Sequence, residues 1–412
     1  MPTAIQSSGC NKLRVRYSYT GQKGKSEMID FSLSDEQRRF LDLAREFSAK
    51  EIGPVALQYD RDGTYPEPIL KKARELGLMY TNIPTVYGGS GMDYVTHYLV
   101  TEALNYDCCA IGQMIGISHL STGAILLGGT EKQKKKFLGR MTESYRSACF
   151  CLTEPGAGSD AGGMNTLAER KGDKYILKGS KCYITNGQHA DLLCVFATID
   201  RSLGTKGISC FAVSRDTPGI RVGRVEDKMG HRAMVVAELF FEEVELTKEN
   251  LIGEEGQGFK LAMMALDRGR ANITAICTGI AQRALDEATK WAKERNQFGQ
   301  PIGNFQGVHF MLADMYALIM ASRAMYLQVG WMLDRNMKCS VEGAAAKCFA
   351  SDAAMKVTTD AVQILAGTGY MKGAVVEKLM RDAKLTQIFE GTNQINRIVS
   401  GRGVLTGKSV LF

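Results

Sequence analysis

Residues 387–394 (QIFEGTNQ) combine side chains that together could remove a proton from carbon. Glu390 follows two apolar residues, and such neighbours disfavour the ionised form of a carboxyl group. Gly391 lets the backbone approach a ligand closely, and the three polar residues after it offer hydrogen bonds. A desolvated carboxylate beside a backbone N–H is suited to abstracting a proton next to a carbonyl. The stretch predicts a catalytic base at Glu390; the alternative is a helix-start glutamate favoured by the helix dipole.

Two motifs in the middle of the chain are suited to a flat or phosphorylated ligand. In residues 153–160 (TEPGAGSD), glycines allow close approach and Thr153 and Ser159 offer hydroxyl groups. The motif lacks the spacing of a dinucleotide-binding GxGxxG turn. In residues 183–187 (YITNG), strand alternation would put Tyr183 and Thr185 on one face, where a ring could stack and a hydroxyl could bond. Each motif alone is more often an ordinary turn.

Composition excludes several classes of function. A chain of 412 residues with 45% hydrophobic and 23% charged residues is typical of a globular protein of two or three domains. The net charge of +7 is modest and spread along the chain, so nucleic acid is not a predicted partner. The eleven cysteines form no CxxC pair and the five histidines no HExxH motif, so we expect reduced thiols and no metal site. We also expect no membrane span, because no apolar run reaches the needed length.

Residues 1–27 differ in composition from the rest of the chain. They contain five basic residues and a single acid, Glu27, with several serines. This is typical of a transit peptide, of a disordered tail, or of sequence upstream of a true start at Met28. Apolar periodicity is weak there, so we favour a tail or a later start and a bacterial cytoplasmic location. The mitochondrial matrix is the alternative if the segment is a transit peptide.

The elements that must position these residues fall into three regions. Ser34 and Gln37 form a capping box that begins a helix, and further helices are predicted near 68–76, 94–106, 109–128 and 131–138. From residue 148, short runs rich in β-branched and aromatic residues predict strands at 149–153, 175–178, 181–185, 192–198, 208–214, 220–225 and 235–244. Long amphipathic patterns then predict helices at 258–295, 304–336, 341–366 and 375–400.

The predicted fold class is therefore α+β with several domains. A disordered or targeting extension (1–27) precedes a helical N-terminal domain (28–147). A middle domain of short strands (148–257), a small β-barrel or a sandwich, and an antiparallel four-helix bundle (258–412) follow.

Five motifs together resemble one family. TEPGAGSD and YITNG are followed by RNQFG (295–299), QILAGTG (363–369) and IFEGTNQINR (388–397). In this order and spacing, from about residue 29 to about residue 402, the chain resembles the acyl-CoA dehydrogenases, most closely their medium-chain members. The resemblance implies a homotetramer that holds FAD. It also implies a fatty acyl-CoA substrate, short or medium in length, and electron-transfer flavoprotein as the electron acceptor.

The resemblance also implies a mechanism. Glu390 matches the base that removes the α-proton of the acyl thioester, and the β-hydrogen leaves as hydride to the flavin N5, giving a trans-2-enoyl-CoA. In the family, the backbone N–H of the base and a flavin ribityl hydroxyl bond the thioester oxygen. Long-chain and isovaleryl members place their base at the position of Gly269. No acid stands there in this chain, which leaves Glu390 as the candidate.

Site residues follow from the same matches. The positions that match flavin contacts are Phe150, Leu152, Thr153, Gly158, Ser159, Tyr183, Ile184 and Thr185. Those that match residues reaching the FAD, mostly that of a neighbouring subunit, are Arg295, Phe298, Phe305, Gln306, Gln363 and Gly367. Thr392 and Gln394 match contacts to the adenylate part of FAD. The positions that match substrate contacts are Ser159, Asp267, Arg270, Gly391 and Arg402.

The chain departs from the family pattern at two places. Tyr183 replaces the usual tryptophan, which keeps a stacking ring but makes it smaller and polar. Residues 116–119 (GISH) replace the usual residues at the end of the acyl site, so a branched or cyclic acyl group is an alternative substrate. We expect His119 to be a histidine of the pocket wall rather than a second catalyst.

Other functions on the same scaffold remain alternatives. An acyl-CoA oxidase would use oxygen as the acceptor. A nitroalkane oxidase-like enzyme uses aspartate as its base, and Glu390 argues against it. An acyl-CoA-binding assembly factor would lack a base or a flavin.

Overall fold

The computed structural model describes residues 32–409, and its N-terminal part is helical. The predicted extension at 1–27 lies outside the described residues. The predicted capping box is confirmed, since Gln37 N donates to Ser34 Oγ at 3.1 Å and Ser34 N to Gln37 Oε1 at 3.0 Å. The helices are α1 (Asp35–Phe47), α2 (Ala56–Asp62), α3 (Glu67–Glu75), α4 (Tyr94–Asp107), α5 (Cys109–Gly116), α6 (His119–Gly128) and α7 (Glu131–Thr142).

The segment predicted as one helix at 109–128 is two helices, α5 and α6. Ser118 lies at the break and uses its hydroxyl to bond Ala148 N at 3.2 Å, across to the middle domain. Serine favours such breaks because its side chain can bond backbone outside the helix. The break places His119 at the first position of α6.

The middle part is a mixed sheet of eight strands. Its order is β6-β7-β3-β2-β4-β5-β8, and β1 pairs with β4 in parallel. The strands are β1 (Ala148–Cys151), β2 (Leu167–Lys171), β3 (Lys174–Thr185), β4 (Leu192–Thr198), β5 (Ile208–Ser214), β6 (Ile220–Val225), β7 (Val236–Thr247) and β8 (Leu251–Ile252). Strands β2 and β8 were not among the predicted strands.

The two strands predicted at 175–178 and 181–185 are a single strand, β3, with an irregularity between them. The pairing of β3 with β7 shifts register between Leu177 and Gly179. Gly179 has φ +144°, and a Cβ there would approach Thr166 Cα at 2.8 Å. Glycine therefore permits the bulge, and the strand continues to the Tyr183 motif.

The C-terminal part is a helical bundle with a short hairpin. The hairpin joins β9 (Asn296–Gln297) to β10 (Gln300–Pro301). The helices are α8 (Gly258–Glu294), α9 (Gln306–Asp334), α10 (Ser340–Tyr370), α11 (Val375–Thr386) and α12 (Asn393–Leu405). Helix α8 packs against α9 and α10 and also against α4 and α6, so it joins the bundle to the N-terminal helices. The predicted fold class is confirmed in this arrangement.

The fourth long helix predicted at 375–400 is interrupted. Glu390 has φ +51° and Gly391 has φ +87°, which are left-handed values that end a right-handed helix. The prediction of one continuous helix was wrong for this reason. The interruption separates α11 from α12 and carries the predicted base.

Two helical segments are long and apolar enough to cross a membrane by length and composition, contrary to the expectation from the sequence. They are Cys109–Gly128, whose most apolar window is 67% buried inside the fold, and Gln306–Asp334, whose window is 22% buried. The first consists of α5 and α6, which pack within the core. The second is α9, whose outer face is left uncovered by the other residues in the range 32–409.

Candidate active site

All three parts of the chain contribute to one cavity of about 770 Å³. Helices α4, α5 and α8 line one side, and residues that follow β1 line another. The interruption between α11 and α12 closes it at Glu390. Because these elements are far apart in sequence, the cavity exists only once the whole chain has folded.

Glu390 lies in the cavity wall with its side chain 7% exposed. Its Oε1 is 2.9 Å from His119 Nε2, and His119 Nδ1 lies 3.1 Å from the carbonyl oxygen of Gly116. The other carboxylate oxygen, Oε2, is buried and has no hydrogen-bond partner among the described residues. The expected apolar surround is thus incomplete, because one side of the carboxyl group is paired with an imidazole.

Gly269 leaves the space that the Glu390 carboxyl group occupies. A Cβ at Gly269 would clash with Oε2 and would lie 3.2 Å from Glu390 Cδ and 2.8 Å from Leu120 Cδ2. Residue 269 therefore packs directly against the Glu390 carboxyl group. A side chain at residue 269 and the present position of Glu390 exclude each other.

The surroundings of His119 favour the charged form of its imidazole. Burial lowers the pKa of His119, but the negative charge of Glu390, its hydrogen bond and the Gly116 carbonyl together raise that pKa above its ordinary value. The pair is consequently an ion pair over a wider pH range than an isolated histidine would allow.

A buried lysine holds the turn that carries Glu390 through hydrogen bonds. Lys347, on α10, is 0% exposed and donates to Gly391 O and to Asn393 Oδ1, both at 2.9 Å. Asn396 Nδ2 donates to the same Gly391 carbonyl at 2.7 Å. Burial chiefly lowers the pKa of Lys347. These bonds fix the left-handed turn, which strain alone would disfavour.

The 153–160 motif is held by a second buried ion pair. Lys181 Nζ donates to Glu154 Oε1 at 2.8 Å and to Leu152 O at 3.0 Å. Glu154 also accepts from the backbone N–H groups of Asn165 at 2.6 Å and Thr166 at 3.0 Å. Although burial opposes it, the attraction of Lys181 and these bonds lower the pKa of Glu154. The glutamate of the motif is therefore an anchor for the loop.

The residues beside this loop fit a flat cofactor such as FAD. A Cβ at Gly156 or Gly158 would meet no atom within 4 Å, and Gly158, which lines the cavity, leaves open space there. The Tyr183 side chain is 65% exposed beside the same cavity. A large exposed aromatic ring next to open backbone is suited to stacking on an isoalloxazine.

Most predicted flavin-side residues line the cavity, and one does not. Ile184 is 1% exposed and packs in the core of the sheet, on the face opposite Tyr183. Strand alternation explains this, and a side-chain contact from Ile184 to a cofactor is excluded. The residues that line the cavity are Phe150, Leu152, Thr153, Gly158, Ser159, Tyr183, Thr185 and Thr392.

The remaining predicted cofactor residues lie outside the cavity of this chain. Phe298 is 94% exposed, and its ring stands 6.1 Å from that of Phe305, centroid to centroid. The other members of this group are also exposed at the surface: Arg295, Gln306, Gln363, Gly367 and Gln394. Their side chains are therefore available to a ligand or to a second copy of the chain at this surface.

The predicted substrate residues divide in the same way. Ser159, Arg270 and Gly391 line the cavity. Asp267 lies beside it and is ion-paired with Arg270. Arg402 is exposed on α12, away from the cavity lining.

Sequence reasoning missed several buried polar residues of the site. Lys347, Asn105 and Gln113 occur in helical patterns where nothing in the local sequence marks a buried polar group. A lysine among the small residues of α10 was the one available signal. Within residues 32–409, no group of three or more His, Cys, Asp or Glu side chains is arranged to hold a metal ion.

Comparisons with known proteins agree with this geometry. The acyl-CoA dehydrogenase N-terminal, middle and C-terminal domain families match residues 34–144, 149–244 and 256–405, respectively. Cyclohex-1-ene-1-carbonyl-CoA dehydrogenase of Syntrophus aciditrophicus (strain SB) is 44% identical over 90% of this chain and 91% of its own length.

Two solved structures have the same fold over nearly the whole chain. Butyryl-CoA dehydrogenase from Megasphaera elsdenii is 41% identical with a TM-score of 0.89, covering 92% of this chain and all of that one. A chain from a structure reported as the electron transferring flavoprotein of Acidaminococcus fermentans is 44% identical with a TM-score of 0.89 and the same coverage. With three family domains in order and full-length relatives above 40% identity, the chain belongs to the acyl-CoA dehydrogenase family, whose members are FAD-dependent oxidoreductases.

Proposed function

We propose that this enzyme dehydrogenates a short acyl-CoA thioester between its α and β carbons, with Glu390 as the base. One observation carries the proposal. Glu390 is buried in the cavity wall, Gly269 leaves room for its carboxyl group, and His119 bonds one of its oxygens. The second oxygen, Oε2, has no partner among the described residues and is the free acceptor for a proton.

Each step within the protein follows from residues already placed. The backbone at Glu390 has φ +51°, a left-handed value, so its N–H does not continue the helical hydrogen bonding of α11. Such an N–H is the donor expected for the thioester oxygen, which makes the α-proton more acidic. Glu390 then accepts the proton, and His119 stabilises the carboxylate before that transfer. FAD, when bound, supplies the chemistry that accepts the β-hydride.

The substrate proposal favours a short acyl group. The relatives with known names act on butyryl-CoA and on a cyclic acyl thioester. Gly116, Ile117 and His119 line the cavity, and a Cβ at Gly116 would meet no atom within 4 Å, so this part of the wall leaves open space. A short straight chain is our first choice, and a cyclic acyl group is the second.

We further propose electron-transfer flavoprotein as the acceptor and a homotetramer as the assembly. The acceptor is supported by the similarity to a chain in the structure reported as the electron transferring flavoprotein of Acidaminococcus fermentans. Support for the assembly is the uncovered face of α9 together with the exposed FAD-directed residues such as Phe298. Bacterial cytoplasm remains the predicted location. The alternative depends on residues 1–27, which lie outside the described range.

The proposal is tested with holoenzyme, a panel of straight, branched and cyclic acyl-CoAs, and a dye acceptor under nitrogen. We expect bleaching of the flavin and a trans-2-enoyl-CoA product, identified by mass spectrometry. Peroxide formed in air without any other acceptor would favour the oxidase alternative. A colourless protein that binds acyl-CoA without turning it over would contradict dehydrogenation and support the assembly-factor alternative.

A further inference from the structure

The cavity carries buried polar side chains on the side away from the flavin loop. Asn105 on α4 and Gln113 on α5 both line it, and they are 1% and 5% exposed. Gly116 bonds His119 through its carbonyl, and Gln113 lies three residues before it in α5. Gln113 is therefore about 4.5 Å from Gly116 along the helix axis. A saturated acyl tail entering past His119 would end beside two amide groups.

The polar neighbours of these amides are already satisfied by one another. Thr101 Oγ1 donates to Asn272 Oδ1 at 3.0 Å, and Thr81 Oγ1 lies 2.7 Å from His97 Nδ1. Burial chiefly lowers the pKa of His97 to about 3, so its ring is neutral. Asn105 Nδ2 donates to Thr101 O at 2.8 Å. These bonds hold the cluster rigid and use most of its donors and acceptors.

Two amide groups are left incompletely bonded. Asn105 Oδ1 is buried and has no partner among the described residues. Gln113 donates from Nε2 to Cys109 Sγ at 3.4 Å, and sulfur is a weak acceptor. Gly112 packs against Asn105, since a Cβ there would lie 2.9 Å from Asn105 Cγ, so the amide cannot swing aside. A buried unpaired acceptor is costly unless a ligand donates to it.

We propose that the acyl group carries an uncharged hydrogen-bond donor, such as a hydroxyl, at its distal end, and that Asn105 and Gln113 receive it. This inference rests on the proposed acyl-CoA dehydrogenase function. Of the described residues, α4 and α5 contribute no Lys or Arg to the cavity lining, and Arg270, which lines the cavity from α8, is already ion-paired with Asp267. A carboxylate held by Asn105 and Gln113 would therefore be buried without an unpaired counter-charge. The amide acceptor selects a neutral donor over both a carboxylate and a plain alkyl end.

The test measures binding to the Glu390→Gln holoenzyme, which does not depend on turnover. Dissociation constants are compared for butyryl-, pentanoyl- and hexanoyl-CoA, for the terminal-hydroxy form of each, and for glutaryl-CoA. We expect one hydroxyacyl-CoA to bind about tenfold tighter than its unsubstituted partner. Asn105→Leu should abolish that ratio, and Gln113→Leu should reduce it. Thr81→Val, in the same cluster but already bonded to His97, should leave the ratio unchanged.

Equal binding of every pair, or an unchanged ratio in both leucine variants, would overturn the inference. Tighter binding of glutaryl-CoA than of any hydroxyacyl-CoA would overturn it as well. Failure of the dehydrogenase proposal looks different. In that case the hydroxyacyl preference would persist in binding while wild-type flavin stays oxidised with every thioester.

Discussion

At the scale of single residues, the site depends on how the Glu390 carboxyl group is surrounded. One oxygen is hydrogen-bonded to His119 and the other lies against Gly269, so the carboxyl group is both paired and tightly packed. Its partner, His119, is distant in sequence and is the first residue of α6, the helix that begins after the break at Ser118. Substituting either neighbour should therefore disturb the Glu390 carboxyl group directly, although both lie far from it in sequence.

Replacing His119 with glutamine should change stability in a pH-dependent way. The folded-state pKa of His119 is raised, so its stabilising contribution is complete below about pH 6.5 and is lost as pH rises through the raised pKa. The difference in melting temperature between wild type and His119→Gln should be larger at about pH 6 than at about pH 9. Differential scanning calorimetry at both pH values measures it.

The control for this experiment is the same replacement in a Glu390→Gln background. Without the carboxylate, burial becomes the main influence and lowers the pKa of His119, so the excess of the difference at about pH 6 over that at about pH 9 should disappear or change sign. A gap that is equally pH-dependent in both backgrounds would show that His119 responds to another group.

The sequence could identify Glu390 but not its partners. The IFEGTNQ stretch and the absence of an acid at residue 269 led directly to the base. The pairing with His119 joins residues 271 positions apart, and no local pattern encodes such a contact. The same holds for Asn105 and Gln113, whose burial depends on how α4 and α5 pack on α8.

At the scale of elements, breaks in helices build the site. The sequence pattern predicted continuous helices at 109–128 and 375–400, because apolar spacing persists through both interruptions. The structure breaks the first at Ser118, which bonds the middle domain, and the second at Glu390, where Lys347 and Asn396 hold the turn. Periodicity reports local burial, whereas these breaks are imposed by contacts with distant elements.

Replacing Lys347 with methionine should loosen the turn that carries the base. The change removes two charge-assisted bonds, to Gly391 O and Asn393 Oδ1, and should lower the free energy of unfolding by about 1–3 kcal/mol. The rate of flavin reduction should fall roughly tenfold or more, because the carboxyl group is no longer held in place. Chemical denaturation and stopped-flow absorbance measure the two effects.

Lys356 provides a matched control on the same helix, α10. Its side chain is 59% exposed and pairs with Asp360 one turn away. Lys356→Met should leave both stability and flavin reduction unchanged, since exposed pairs contribute little. If Lys347→Met behaves like Lys356→Met, the buried lysine does not position the base.

At the scale of the whole molecule, the uncovered face of α9 indicates a larger assembly. Its large side chains are exposed in this chain, among them Phe310 at 61%, Tyr316 at 54% and Met320 at 51%. Monomers rarely expose an apolar face of this kind. The three-part architecture was predictable from periodicity and motif order, but the use of this surface was not, because the same pattern is typical of core helices.

Placing charges on this face should separate the subunits. In the double variant Tyr316→Glu/Met320→Glu, the mass measured by light scattering should fall from that of a tetramer. The ratio of FAD to protein should fall with it, because Phe298 and its neighbours would no longer reach a second copy. Val86→Glu, at a side chain that is 75% exposed on the N-terminal domain, is the control and should change neither value. An unchanged mass in the double variant would contradict the proposed assembly.

The most direct test of the central claim is the rate of flavin reduction in Glu390→Gln, measured by stopped flow under nitrogen with the best acyl-CoA. Glutamine keeps the shape of the side chain and can still bond His119, but it cannot accept the α-proton. The account predicts a loss of at least about a thousandfold in that rate, with FAD content unchanged. Reduction at the wild-type rate would contradict the assignment of Glu390 as the base.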